Sequence, residues 1–198
     1  MKKLPSAQLC ALAVLAVVNI IGANLALMLR LPLYLDSIGT MAAGALFGPL
    51  WGAVTGAASA LLNGVTTDPY ALYYLPVQLI TGALAGVVFQ KIRIVQDRQL
   101  RLPRLFPAAI LVSLPGTVVS ASVTAFLFGG ITSSGSTILV QLLHGLGWNL
   151  TVSVCAVQTL TDYLDRFACL ALAAVLVRAL PAPFRMIKKN GGKHRGAL

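Results

Sequence analysis

Residues Leu31 to Gly64 read LPLYLDSIGTMAAGALFGPLWGAVTGAASALLNG, and this stretch decides the fold of the chain. It holds two apolar segments, Asp36 to about Phe47 and about Leu50 to Asn63, on either side of the helix-breaking pair Gly48-Pro49. A helix that crosses a bilayer needs about 20 apolar residues. Neither segment crosses as an ordinary helix unless it is tilted or extended at its ends. We therefore predict two short helices whose break is covered by neighbouring helices.

The composition places the whole chain in lipid. Of its 198 residues 58% are hydrophobic and 10% are charged, and none is Glu, whereas a soluble domain has about 25% charged residues. A net charge of +10 would indicate nucleic-acid binding in a soluble protein. Here the basic residues flank apolar segments, so we expect contacts with anionic lipid head groups and no nucleic acid partner.

Four further segments have the length of membrane spans. They are Ala7 to Leu29, Leu72 to Gln90, Leu105 to Phe128 and Leu160 to Leu180. The region from Thr137 to Gln158 is also apolar, but polar residues interrupt it.

The basic residues decide how many of these segments cross. Thirteen of the fifteen Lys and Arg residues fall in three blocks, which are Lys2-Lys3, Lys91 to Arg104 and Arg178 to Arg195. Positive residues collect on the cytoplasmic side, and six crossings place all three blocks there, whereas seven do not. The region Thr137 to Gln158 should therefore lie at the outer surface as one or two short helices.

These observations predict an all-α membrane protein of the cell (plasma) membrane. We expect a multi-pass bundle of six transmembrane helices with short helices 2 and 3, and an extracellular helical segment before helix 6. Residues 1–185 should form a single transmembrane substrate-binding domain, and residues 186–198 a basic tail. Both termini should be cytoplasmic.

Polar side chains inside or beside membrane spans are costly and are often functional. Many lie near the predicted outer face, including Arg30, Tyr34, Asp36 and Asp68. Aromatic rings that stack on a flat ligand and amides that bind its edge give the candidate substrate-binding set, which is Asn63, Tyr70, Tyr74, Gln78, His144, Trp148 and Asn149. The alternative for Tyr and Trp is the aromatic belt of any membrane protein.

Other polar residues have structural interpretations. Asn19 and Asn24 are candidates for hydrogen bonds between helices. Asp162, Asp165 and Arg166 are expected to form an ion-pair set at the start of the last helix, where acids suit the helix dipole.

The sequence gives no sign of an enzyme. His144 and His194 are the only histidines, and there is no carboxylate cluster beside them to predict a metal site. No phosphate-binding loop is present, so this chain should not hydrolyse ATP. We expect no catalytic residue, no metal and no cofactor in the chain itself. Cys10, Cys155 and Cys169 should be packed or lipid-facing thiols.

Small residues recur at four-residue spacing, which lets helices approach closely in lipid. The pairs and triplet are Ala7/Ala11, Gly44/Gly48, Gly52/Gly56/Ala60 and Gly82/Gly86. Each face either packs inside the bundle or binds a partner.

Two stretches carry a family resemblance: Leu31 to Gly64, and LTDYLDRFACLALAAVLVRALP from Leu160 to Pro181. The chain resembles the S component, the substrate-binding membrane subunit, of energy-coupling factor (ECF) vitamin transporters. In similar proteins an acid followed by a base opens the last helix, and Asp165-Arg166 stands there. The resemblance implies six helices, an outward-facing pocket and cytoplasmic termini. It also implies an AxxxA face that docks on a coupling subunit, matched here by Ala7 and Ala11.

The function implied by this resemblance is capture of a vitamin or vitamin-like micronutrient. The subunit would then topple in the bilayer and deliver its cargo inward, working with a transmembrane coupling subunit (EcfT-like) and two ATPase subunits that use ATP. The identity of the vitamin stays open. One alternative is a ligand-sensing membrane module without transport activity, although only about 18 residues follow the last span. Another is a stand-alone carrier, which would have paired half-repeats.

Overall fold

The computed structural model describes residues 6–96 and 99–179. The described chain is mostly helical. Its helices are α1 (Ser6–Met28), α2 (Ile38–Phe47), α3 (Pro49–Thr66), α4 (Tyr70–Tyr73), α5 (Leu75–Ile92), α6 (Leu105–Ser122), α7 (Ser136–Gly145) and α8 (Leu150–Ala179). A two-stranded hairpin, β1 (Val95–Gln96) and β2 (Gln99–Leu100), lies between α5 and α6. The predicted basic tail, residues 186–198, lies outside the described residues.

Three helical segments are long and apolar enough to cross a membrane: Ser6–Met28, Leu75–Ile92 and Leu102–Leu127. The last of these includes α6 and continues through a π-helical turn, Val123–Leu127. The expected class, a helical membrane protein, is supported by these segments. At a rise of about 1.5 Å per residue, the 10 residues of α2 extend only about 15 Å.

The helices α2, α3 and α5 form the tightly packed centre of the bundle. A Cβ atom added at Gly82 of α5 would lie 2.3 Å from the carbonyl carbon of Gly52 in α3, and one at Gly44 of α2 would lie 2.9 Å from the Gly86 nitrogen. Backbones this close leave no room for a side chain. These small-residue faces are therefore interior contacts. By contrast, Ala7 is exposed and Ala11 is half-buried at the surface of α1.

The last helix differs from the prediction, because it begins at Leu150 and not near Leu160. Gly147 turns the chain with φ of 94°, and the Asn149 Oδ1 atom accepts a hydrogen bond from the Thr151 backbone nitrogen at 2.9 Å. An asparagine in this position caps a helix N-terminus. The apolar region before the predicted start therefore divides into the short helix α7 and the first turns of α8.

Because α8 begins about ten residues earlier than predicted, its charged residues lie farther from its N-terminus. Asp162, Asp165 and Arg166 lie in the middle of a 30-residue helix, so the expectation that they stand at a helix start is wrong. The expected ion pair is present for two of the three residues, with Arg166 Nη1 2.8 Å from Asp165 Oδ2, whereas Asp162 Oδ2 accepts a hydrogen bond from Ser120 Oγ at 3.0 Å. All three residues are buried, so the pair lies inside the bundle.

Candidate ligand-binding site

A small cavity of about 40 Å³ lies at the end of the bundle where α1 and α3 end and α5 begins. We call it the upper cavity. Its polar wall consists of two carboxylates, two phenols, two amides and two hydroxyls, from Asp36, Asp68, Tyr34, Tyr74, Asn24, Asn63, Ser133 and Ser134. Polar groups gathered inside an apolar bundle are costly unless they are used. This cavity is therefore the candidate binding site.

A second cavity of about 20 Å³, the lower cavity, lies against the first. Both are lined by Asp36 and Asn63, and the lower cavity continues to Asn19 and Gln78. The two small spaces therefore form one polar region that extends from the bundle end towards its centre.

The connection between α1 and α2 folds back into the bundle and forms one wall of this region. A Cβ atom added at Gly22 would lie 2.2 Å from the Leu35 carbonyl oxygen, so glycine is needed for this approach. The backbone nitrogens of Tyr34 and Leu35 donate to Asp165 Oδ1 at 3.0 Å and 2.8 Å. The carboxylate of α8 thus fixes the wall that carries Tyr34 and Asp36.

Arg166 links this wall to the centre of the bundle. Besides its contact with Asp165, its Nη1 atom lies 3.6 Å from Asp36 Oδ1 and 2.6 Å from Ser37 Oγ. The Gln78 Nε2 atom in turn donates to Ser37 Oγ at 3.1 Å. One guanidinium therefore positions the residues at the N-terminus of α2.

The two tyrosines face one another across the upper cavity. The ring centroids of Tyr34 and Tyr74 are 6.3 Å apart, with an angle of 42° between the planes. Burial raises the pKa of Tyr74 to about 12 and the pKa of Tyr34 well above its usual range. Both phenols therefore keep their protons at neutral pH, and the Tyr74 hydroxyl shares a hydrogen bond of 2.6 Å with Thr124 Oγ1 in which either oxygen can be the donor.

The segment of residues 128–135 closes the cavity from outside, and we call it the cap. Ser133 Oγ donates to Asp68 Oδ2, and the Gly135 nitrogen donates to the Leu31 carbonyl oxygen at 3.1 Å. Ligand pockets usually enclose about 300–1,000 Å³. The cavity is therefore too small in this conformation for a typical ligand, and separation of the cap from Asp68 and Leu31 would enlarge it.

The predicted substrate-binding residues divide into two groups. Asn63 and Tyr74 line the upper cavity and Gln78 lines the lower one. Tyr70 lies at the rim, where its ring packs edge-on against Phe128 at 4.7 Å.

The other three predicted residues lie elsewhere and are exposed, with His144 in the last turn of α7 and with Trp148 and Asn149 in the connection between α7 and α8. His144 Nδ1 is 2.9 Å from the Trp148 carbonyl oxygen, and Asn149 is the helix cap described above. None of these three lines the upper or lower cavity.

Six of the eight polar wall residues are absent from the predicted set, and among them are Tyr34, Asp36 and Asp68 from the outer connections. Their place in the outer connections was visible in the sequence. Their convergence depends on the fold-back of the α1–α2 connection, for which Gly22 was the one local signal.

A larger groove of about 330 Å³ lies on the surface between α6 and α8. Its wall is mainly apolar and includes Ile110, Leu114 and Leu160. Such a surface suits contact with acyl chains, and the polar groups on it are the hydroxyls of Ser113, Thr117, Thr159 and Tyr163, without the carboxylates and amides of the upper cavity. The upper cavity is therefore the better candidate site, although it is smaller.

In comparisons with protein-family models, curated proteins and solved structures, nothing matches this chain.

Proposed function

We propose that this protein is the substrate-capture S component of an ECF-type importer, and that it binds a vitamin-like micronutrient in the upper cavity. In this proposal α1, α2, α3, α5, α6 and α8 make the six passes through the cell membrane, with α2 reaching only part of the way. Both termini are cytoplasmic, and the chain itself catalyses no reaction. A coupling subunit and two ATPase subunits supply the energy from ATP.

One observation carries the proposal: a polar cavity lies at one end of an apolar bundle, and the basic connection lies at the other end. The cavity lies where α5 begins, and the Lys91 to Arg104 connection follows where α5 ends. The 18 residues of α5 separate the two by about 27 Å. Because basic connections face the cytoplasm, this arrangement supports an outward-facing site.

The wall chemistry supports binding of a small polar molecule. Asp36 and Asp68 offer charged acceptors, Asn24 and Asn63 offer amides, and the tyrosine rings offer flat faces. A pocket that buries most of a ligand and holds it by a few polar groups has this composition. The cap can open to admit a ligand, because it is held to the rest of the bundle by side-chain and backbone hydrogen bonds and by no covalent bond.

The docking part of the proposal is tested by replacing Ala7 or Ala11 with Trp. Ala7 is exposed, and Ala11 is half-buried beside the buried residues of α1. A bulky ring there should block close helix packing with a coupling subunit. We expect uptake into cells to fall to background while ligand binding by the purified chain is unchanged. The matched control is Ala13→Trp on a different exposed face of the same helix. Uptake that survives Ala7→Trp and Ala11→Trp as well as it survives Ala13→Trp contradicts the docking assignment.

The transport class is tested by affinity purification of the tagged chain from its native membrane, with mass spectrometry of what accompanies it. We expect two ATPases, a helical membrane protein and a small molecule released on denaturation. A ligand-sensing module would instead bring a small molecule and a signalling partner, and that result would refute transport.

A further inference from the structure

We infer, on the basis of the proposed function, that the cargo is a compact organic cation that also carries a hydrogen-bond acceptor. Its positive group lies between Asp36 and Asp68 in the upper cavity, against the faces of Tyr34 and Tyr74. Its acceptor binds the amide of Asn63. Three observations support this inference separately: the negative charge of the cavity wall, the geometry of the Tyr34 and Tyr74 rings, and the Asn63 amide nitrogen, which donates to no described residue.

The charge balance of the site is acidic. The upper cavity is lined by two carboxylates and, among the described residues, by no Lys, Arg or His. The base that pairs with Asp36, Arg166, is closer to Asp165 than to Asp36, and Asp162 stands one turn earlier on the same helix. The N-terminus of α2 adds only about half a positive charge. The three carboxylates of Asp36, Asp162 and Asp165 are therefore balanced only by the Arg166 guanidinium and the N-terminus of α2.

Asp68 has no basic partner among the described residues. Its carboxylate accepts hydrogen bonds from Ser133 Oγ and from the Tyr70 backbone nitrogen, both of which are neutral donors. A cation beside Asp68 gains a favourable charge interaction at partial burial, whereas an anion there meets repulsion from Asp36 and Asp68. This part of the wall therefore selects for positive charge.

The tyrosines add a second preference for a cation. An ammonium or similar group within about 6 Å of a ring centroid is attracted to the ring face, most strongly when water is excluded. With centroids 6.3 Å apart and planes inclined at 42°, the rings leave no room for a group between them, but one small cationic group in the cavity beside both rings lies within about 6 Å of both centroids. The protonated phenols add no negative charge.

Asn63 is the independent sign of a ligand. Its side chain is 9% exposed and borders both cavities. The Asn63 Oδ1 atom accepts a long 3.4 Å hydrogen bond from Asn24, but its amide nitrogen donates to no described residue. Buried amides normally use their donors. A ligand acceptor at the junction of the two cavities satisfies this one.

The test uses three pyridines of the same shape and different charge at pH 7.5. They are 3-(aminomethyl)pyridine, a cation, 3-(hydroxymethyl)pyridine, which is neutral, and nicotinate, an anion. The purified full chain is held in lipid nanodiscs, and each Kd is measured by isothermal titration or ligand-observed NMR. We expect the cation to bind at least 10-fold more tightly than the neutral compound, and nicotinate more weakly still.

The variant Asp68→Asn should reduce the preference for the cation over the neutral compound at least 5-fold. The control Asp97→Asn removes the same charge from the basic inner connection and should leave the preference unchanged. Size-exclusion profiles and melting temperatures show whether each variant is folded. Equal binding of the three pyridines, tighter binding of nicotinate, no binding of any, or the same preference in Asp68→Asn overturns the inference.

This test separates the inference from the proposed function. If the chain brings its ATPases and releases a neutral or anionic molecule on denaturation, the capture function stands and the cationic cargo is refuted. If it binds the cationic pyridine but brings no ATPases, the site assignment stands and the transport function is refuted.

Discussion

Replacing Asn19 with Ala should destabilise the protein more than the same change at Asn24, although both asparagines lie on α1. The Asn19 side chain is 1% exposed. Its amide nitrogen donates to Thr40 Oγ1 at 2.7 Å and to Ser59 Oγ at 3.0 Å. Its oxygen accepts from the backbone nitrogens of Gly39 at 2.7 Å and Thr40 at 3.2 Å. One side chain therefore joins α1, α2 and α3.

The magnitude follows from what each change leaves behind. Hydrogen bonds between membrane helices contribute about 0.6 kcal/mol each on average, and an unsatisfied buried donor costs about 1–3 kcal/mol. Asn19→Ala removes four bonds and leaves two backbone donors of α2 without a partner, so we expect a loss of about 3–5 kcal/mol. Asn24 bonds to Ile20 in its own helix and at 3.4 Å to Asn63, so Asn24→Ala should lose about 1 kcal/mol or less.

The measurement is the unfolding free energy of the purified chain, obtained by titration with a denaturing detergent and followed by circular dichroism. Far-ultraviolet spectra before titration establish that each variant starts from the same helix content. If the two alanine variants differ by less than about 1 kcal/mol, the view that Asn19 caps α2 from a neighbouring helix is refuted.

Two further stability predictions use the same assay. The change Gly82→Ala forces a methyl group onto the backbone of α3 and should lower the unfolding free energy by about 2 kcal/mol or more. The control Gly145→Ala, where nothing lies within 4 Å, should change it by less than about 0.5 kcal/mol. Equal effects of the two changes would refute the close approach of α3 and α5. The change Arg166→Gln leaves buried carboxylates without their partner and should lower the unfolding free energy by about 3–5 kcal/mol. The control Arg101→Gln, at an exposed residue, should change it little. Near-equal losses in the two variants would show that the ion pair does not stabilise the bundle.

Much of the architecture follows from local sequence properties. Long apolar runs predict α1, α5 and α6, and the pair Gly48-Pro49 predicts the break between α2 and α3. These features depend on residues close together in the chain. Glycine spacing likewise predicts close helix packing, and the structure shows that Gly44, Gly52, Gly82 and Gly86 serve it in the interior.

The start of α8 and the composition of the site depend on longer-range relations. From sequence Asn149 was predicted to be a ligand-binding amide, whereas after the turn at Gly147 it caps the start of α8. Asp36 and Asp68 are 32 positions apart, and nothing local indicates that they border one cavity. Arg166 was predicted to have an acidic neighbour, but its second partner, Asp36, comes from the opposite end of the chain.

The half-length helix α2 explains why so many buried polar side chains surround the cavity. A helix that begins inside an apolar bundle exposes its first backbone donors where no water can reach them. Asn19 satisfies those of Gly39 and Thr40, and Asp165 satisfies those of Tyr34 and Leu35 in the preceding connection. Because side chains from α1 and α8 supply these acceptors, irregular backbone can enter the bundle and carry ligand-binding groups to its interior. The binding site can therefore lie inside the bundle only because this polar network is present. A variant that removes Asn19 or Asp165 from the network should lose the cavity together with the stability of α2.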